Sequence, residues 1–146
     1  MRVVEVVVGA LVSGRRVLLV HRSAHKRAYP GVWELPGGVV EDGESELEAL
    51  TRELHEELGV QVATGTASHL CRLEVRPGDE PARLSAWLVR DWSGTPANLA
   101  PDEHDGMEWF DVGELPPPAH APVRTALLHA IAGGDVENEV GAPSQR

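Results

Sequence analysis

The chain has a single cysteine, a single lysine, one phenylalanine and one tyrosine among its 146 residues, and each scarcity rules something out. Cys71 has no partner for an internal disulfide, which fits a reducing, cytoplasmic setting; its place in an expected strand makes it a small core residue and not a nucleophile. Basic residues number 13 against 23 acidic ones, for a formal net charge of -10, and they gather in no long stripe. That balance excludes a general binder of nucleic acid polymers. No apolar run approaches the roughly 20 residues of a membrane span, and the segment from Met1 to Leu11 carries Arg2 and Glu5 in an alternating pattern unlike a signal peptide. The length suits one domain, expected over residues 1–133, with a polar tail at 134–146 that lacks apolar periodicity and is expected to be flexible.

What the chain has in abundance is acid, concentrated between Gly38 and Val60 in GVVEDGESELEALTRELHEELGV. Glu53, Glu56 and Glu57 stand three and four positions apart, so a helix brings Glu53 beside both others on one broad face. Two like charges about 6 Å apart at an effective dielectric near 20 repel by about 3 kcal/mol before solvent screening. Crowding of that kind calls for compensation. Arg52 can neutralise one carboxylate, and a hard divalent cation such as Mg²⁺ can neutralise the rest while taking substrate phosphates among its remaining ligands. The stretch therefore reads as a metal and phosphate site, and the competing reading is a solvated acidic helix face.

The spacing decides between them. Gly38, Glu44, Arg52, Glu53, Leu54, Glu56, Glu57, Gly59 and Val60 match the Nudix box, GX5EX7REUXEEXGU with U an aliphatic residue, at every specified position. A chance match is expected on the order of once in a million chains of this composition. The chain thus resembles the Nudix hydrolases, which cleave a nucleoside diphosphate linked to a further group. Its lead-in, Trp33-Glu34-Leu35-Pro36-Gly37, is similar to that of the MutT-like nucleotide pyrophosphohydrolases.

The rest of the chain is organised to match. Val3–Val12 reads as a buried strand, Ser13–Arg16 as a turn and Val17–Val20 as the second strand, followed by a loop from Arg22 to Pro30 and an extended stretch from Gly31 to Leu35. Ser45 with Glu48 three positions later has the form of a capping box, which predicts a helix from Ser45 to Leu58 stopped by Gly59. Leu47, Leu50, Leu54 and Leu58 form its packed stripe. His69–Val75 and Arg83–Arg90 read as a hairpin about Pro77-Gly78-Asp79, Met107–Asp111 as a short strand, and Pro122–Ala132 as a last helix ended by Gly133. This order of elements suits the α/β Nudix fold implied by the resemblance, a mixed β-sheet sandwiched between helices as an α/β/α sandwich.

The resemblance also implies roles. Glu53, Glu56 and Glu57 are expected to ligate Mg²⁺, for which Mn²⁺ can substitute, with the main-chain carbonyl of Gly37 as a further ligand. Glu53 is the first choice of general base. Glu103 is the second, because MutT-like relatives carry an acid about six positions before a strand tryptophan and Glu103 stands six before Trp109. Glu44 and Arg52 are expected to orient the ligating carboxylates, Arg52 through a forked hydrogen bond. Arg22 is expected to grip a substrate phosphate, while His25, Lys26 and Arg27 read as a solvated basic loop. The four tryptophans are assigned to packing and His55 to the surface.

The expected substrate is a nucleoside or deoxynucleoside triphosphate, cut to a monophosphate and pyrophosphate. His120 stands where MutT-like enzymes carry an Asn that reads the purine edge, and imidazole offers a different donor and acceptor set, so preference for oxidised guanine does not transfer. Val39 replaces a basic residue of some relatives, and Val75 holds the place of a proline found in ADP-ribose hydrolases. The alternatives are hydrolysis of ADP-ribose, sugar nucleotides or dinucleoside polyphosphates, and a nucleotide-sensing module without catalysis. Homodimerisation is common in the family and is open here.

Overall fold

The structure, a computed structural model, describes residues 3–24, 30–76, 80–117 and 120–132. Among the described residues nine strands and two helices follow one another: β1 (Val4–Ser13), β2 (Arg16–Arg22), β3 (Trp33–Glu34), β4 (Gly37–Val39), α1 (Glu46–Leu58), β5 (Gln61–Val62), β6 (Ser68–Val75), β7 (Ala82–Val89), β8 (Trp92–Ser93), β9 (His104–Asp111) and α2 over 121–132. Short 3₁₀ turns occur at Thr64–Thr66 and Val112–Glu114.

The central feature is a fork in a mixed seven-stranded sheet. β1 and β2 pair only at Val12 with Val17 and at Ser13 with Arg16, and then diverge. Beyond that point β1 pairs in parallel with β7 along one edge and antiparallel with β4 along the other, through Val6–Val39, Val7–Gly38 and Val8–Gly37. β2 diverges towards β9 and β3. The wedge between the two arms is therefore filled by residues 33–39, the lead-in to the acidic helix.

Period-two alternation along the arms divides the core between two faces. Val7, Leu11, Leu18, Val20 and Val89 pack beneath α1 with Ala49, Leu50, Leu54 and Leu58. Ala10, Val12, Val17, Leu19, Leu84 and Leu88 face the other way and pack with Val123, Leu127 and Ile131 of α2. The α/β/α sandwich is thus observed, and each helix carries an apolar stripe at i, i+4 spacing.

The expected elements are found with small shifts. Ser45 is the N-cap of α1, its side chain accepting from the Glu48 N–H while the Glu48 carboxylate accepts from the Ser45 N–H, and Gly59 ends the helix in the left-handed region at φ 75°. β2 continues to Arg22, because Val20 and His21 pair with both β3 and β9 and Arg22 pairs with His104 of β9. β4 was not anticipated, since Gly37 and Gly38 read as loop. Glycine is tolerated there because no side chain could fit: a Cβ at Gly37 would lie 2.0 Å from the Val7 carbonyl oxygen. The two-residue pair β5–β8 also carried no sequence signal. The basic residues 25–27, the turn at 77–79, Gly133 and the tail 134–146 lie outside the described residues. No helix among the described residues is long and apolar enough to cross a membrane.

Candidate active site

α1 presents its acids to three environments. Glu57 is buried, with 3 % of its surface exposed, Glu53 is mostly covered, and Glu56 is exposed. The expectation of one crowded carboxylate face is corrected accordingly: Glu53 and Glu57, four residues apart, turn inward together, and Glu56 stands outside, 3.6 Å from Arg52 Nη1.

Arg52 organises this surface. Its Nε and Nη2 donate to Glu44 Oε2 and Oε1 at 2.7 and 2.9 Å as a fork, Nη1 donates to Glu53 Oε2 at 3.0 Å, and Nη2 also reaches the Val39 carbonyl at 3.0 Å. One guanidinium therefore ties the 41–44 loop, β4 and the helix carboxylate together. Arg52 and the Glu41 N–H hold the Glu44 carboxyl far below the usual range, at about 2. The forked hydrogen bond expected of Arg52 is thus made to Glu44, with Glu53 held by the same guanidinium.

Glu53 lies directly beneath the loop glycine. A Cβ at Gly38 would come within 2.4 Å of the Glu53 carboxyl carbon, so the backbone passes over the carboxylate at a distance that only glycine permits. Deeper in, burial and hydrogen bonding to Glu53 push the Glu57 carboxyl well above the ordinary range; the charges of Glu53 and Glu103 add to this, and the Gly37 backbone bond opposes it. Glu57 Oε1 is buried without a hydrogen-bond partner, and the nearest ion-pairing group is His104 Nε2 at 3.8 Å. An orphaned carboxylate oxygen in such a place fits a cation ligand, since oxygen donors are what hard divalent ions take. Among the described residues no three His, Cys, Asp or Glu side chains are already drawn into a metal-holding cluster.

Glu103 is carried to this site by the loop before β9. The Leu99 N–H donates to the Glu57 carbonyl at 2.8 Å and the Ser23 N–H to the Glu103 carbonyl at 3.0 Å, which pins the loop between the end of α1 and the end of β2. Arg22, expected to be a phosphate grip, donates through Nη1 to Glu34 Oε2 at 2.7 Å, and both side chains are largely covered. Sequence reading overlooked Glu34, although its alternation between Trp33 and Leu35 marked it as a residue on the opposite face of a strand.

Several of these groups open on one cavity of about 750 Å³, lined by Gly37, Gly38, Arg52, Glu53, Glu56 and Glu103, by Arg22, Glu34 and Trp33, and by Val123, Arg124 and Leu127 of α2; Glu44 and Glu57 stand behind its wall. His120, half-buried at the start of α2, lines it too, and burial lowers its pKa. His55 is on the surface as expected. The tryptophans pack in rings: Trp33 is edge-on to Phe110 at 5.0 Å, and Trp92 stacks on Trp109 at 6.2 Å.

The NUDIX domain model matches residues 3–131, nearly the whole of the described chain. The chain belongs to the Nudix family. This Nudix hydrolase is 36% identical over 133 residues to the CTP pyrophosphohydrolase of Escherichia coli K12, spanning 90% of its own length and 93% of that protein. It is 31% identical over 134 residues to the 8-oxo-dGTP diphosphatase of the same organism, spanning 87% and 98%. Among solved structures it resembles the MutT NUDIX hydrolase from Burkholderia pseudomallei, with a TM-score of 0.77, 31% identity and coverage of 87% and 97%. The fold and the hydrolytic class on diphosphate bonds follow from these likenesses together.

Proposed function

We propose that this Nudix hydrolase is a cytoplasmic pyrophosphohydrolase of nucleoside or deoxynucleoside triphosphates that depends on Mg²⁺, with Mn²⁺ able to replace it, and that releases a monophosphate and pyrophosphate. The observation that carries this reading is the cavity that joins Glu53 and Glu56 of the box to an apolar floor beneath α2. Such a cleft accommodates a molecule anionic at one end and flat and apolar at the other. The likeness to two relatives named for triphosphate substrates supports it.

Glu53, Glu57 and Glu56, with the carbonyl of Gly37, are the groups that would hold the cation. A divalent ion bound there supplies positive charge against the phosphates and lowers the pKa of a water, as is general for metal-assisted phosphoryl transfer. Arg52 fixes Glu53 in place through the 3.0 Å bond from Nη1, so Glu53 serves best as a ligand. Exposed Glu103, on the adjoining loop, is then the better-placed group to take the proton as water adds to phosphorus and the phosphoanhydride bond breaks. Arg22, held by Glu34, flanks the middle of the cleft, where it can donate to a phosphate or sugar oxygen. His120 lines the end of the cleft where the base would lie.

The test is a panel of canonical and oxidised nucleoside triphosphates, ADP-ribose, sugar nucleotides and dinucleoside polyphosphates with Mg²⁺, products being identified by anion exchange. Triphosphates should head the ranking and yield pyrophosphate. A ranking headed by ADP-ribose or a dinucleotide would overturn the reading.

A further inference from the structure

The two ends of the cavity lie on opposite sides of the sheet. The carboxylates reach it from α1, through the wedge that β4 fills, whereas Val6, Val8, Leu19 and Leu84 of its floor belong to the core packed against α2. A nucleotide with its phosphates at Glu53 and Gly38 therefore lays its base on that floor, against the first turn of α2. Two polar side chains stand there. His120 precedes the helix, its carbonyl accepting from the Val123 N–H at 3.1 Å, and Arg124 follows four residues later, one turn along the same side.

Arg124 differs from the cleft's other arginines. Arg52 is paired with Glu44 and Glu53, and Arg22 with Glu34. Arg124 is half-buried, lines the cavity, and has no ion-pair or hydrogen-bond partner among the described residues. A partly desolvated guanidinium in that position is costly unless something meets it. Its planar fork matches two acceptors side by side.

We propose that Arg124 determines base specificity by donating two parallel hydrogen bonds to a base edge that carries two adjacent acceptors. The inference rests on the reading of the cleft as a nucleotide site. Cytosine offers such an edge in O2 and N3, and guanine in O6 and N7. Uracil and thymine interrupt theirs with N3–H, adenine sets its N6 amino donor beside N7, and 8-oxoguanine carries a proton on N7, so each meets the fork with at least one donor. Burial lowers the pKa of His120, which favours the neutral imidazole and spares the pair a like-charge repulsion. The preferred substrates are thus cytosine or guanine nucleotides, and oxidised guanine is discriminated against.

The experiment measures binding of CMP, GMP, UMP, AMP and 8-oxo-dGMP by calorimetry to the full-length wild type and to Arg124→Lys and Arg124→Ala, alongside hydrolysis of the matching triphosphates. Lysine keeps the charge and loses the fork. We expect the wild type to bind CMP or GMP about tenfold more tightly than UMP, AMP and 8-oxo-dGMP, and both variants to lose that margin while their affinity for UMP and AMP changes less than about twofold. An equal loss for all five, or full rescue by lysine, would show a phosphate contact and overturn the proposal, as would a wild type without the preference. If base-selective binding is lost in the variants while the wild type hydrolyses no triphosphate, the role of Arg124 stands and the triphosphate reading falls.

Discussion

The Glu53 carboxylate fills the space that a side chain on Gly38 would need, with its Cδ only 2.4 Å from the position of a Cβ there. The glycine that opens the box and the glutamate fifteen positions later are thus complementary halves of one contact. Gly38→Ala must displace either β4, which is paired to Val7, or the Glu53 carboxylate. Overpacking of this kind costs about 1–3 kcal/mol. Because Glu53 moves more easily than a sheet strand, the expected result is a modest fall in the urea midpoint and a loss of turnover of at least an order of magnitude, checked by unfolding curves beside kinetics.

Arg52→Lys keeps one positive charge and abandons the fork on Glu44. Lysine cannot also reach Glu53 and the Val39 carbonyl from one position, so the loop and the helix lose their common tie. A loss of orienting contacts typically costs about 10- to 100-fold in activity or metal affinity. The fall should be seen in kcat at saturating Mg²⁺, with Glu53 still present. An unchanged kcat would remove Arg52 from the working site.

Glu57 makes stability depend on pH with a definite sign. Its folded pKa is raised above the ordinary carboxylate value of 4.5, so above that pH the unfolded chain gives up a proton that the folded one keeps. The unfolded state then binds fewer protons, and the stability of metal-free protein declines as pH rises from 4.5 through neutrality. Glu57→Gln removes this slope and should melt higher than the wild type at pH 8 in EDTA. Adding Mg²⁺ should raise the wild-type Tm and leave the variant's nearly unchanged, since ligand binding to the folded state alone stabilises it. Thermal melts across pH test both statements, and the variant should be inactive.

A second polar network anchors α1 far from the chemistry. Glu46, in the first turn, accepts from Ser85 Oγ at 2.6 Å, Trp87 Nε1 at 3.0 Å and Arg72 Nη2 at 2.8 Å, and His69 Nε2 lies 2.8 Å from Ser85 Oγ. These donors hold its carboxyl below the usual pKa although burial opposes them. Glu46→Ala takes an acceptor from buried Ser85, which keeps His69, and from half-buried Trp87, at a cost of about 1–3 kcal/mol. Chemical denaturation should register that loss, with a smaller proportional change in turnover.

Much of this was legible in the residues, and the reasons are local. The capping box at Ser45, the leucine stripe of α1 and the turn residues act within a few positions, so the helix is found within one residue of its predicted limits. β4 escaped notice because Gly37 and Gly38 advertise loop, and only the fork between β1 and β2 makes a strand of them. The partnership of Arg22 with Glu34 was hidden for a similar reason: it depends on β2 and β3 pairing at Val20–Glu34 and His21–Trp33.

The order and spacing of the box residues by themselves determined the family, the helix and the set of acids proposed to work on phosphate, because helix periodicity turns positions 53, 56 and 57 into neighbours whatever surrounds them. Which of those acids is buried was decided by the tertiary structure alone. Glu57 is enclosed by β4, the loop ending at Glu103 and His104, and Glu56 is not, since burial depends on segments distant in the chain. The same holds for the base end of the cleft, where Arg124 meets the floor formed by β1, β2 and β7 only after α2 has packed across them.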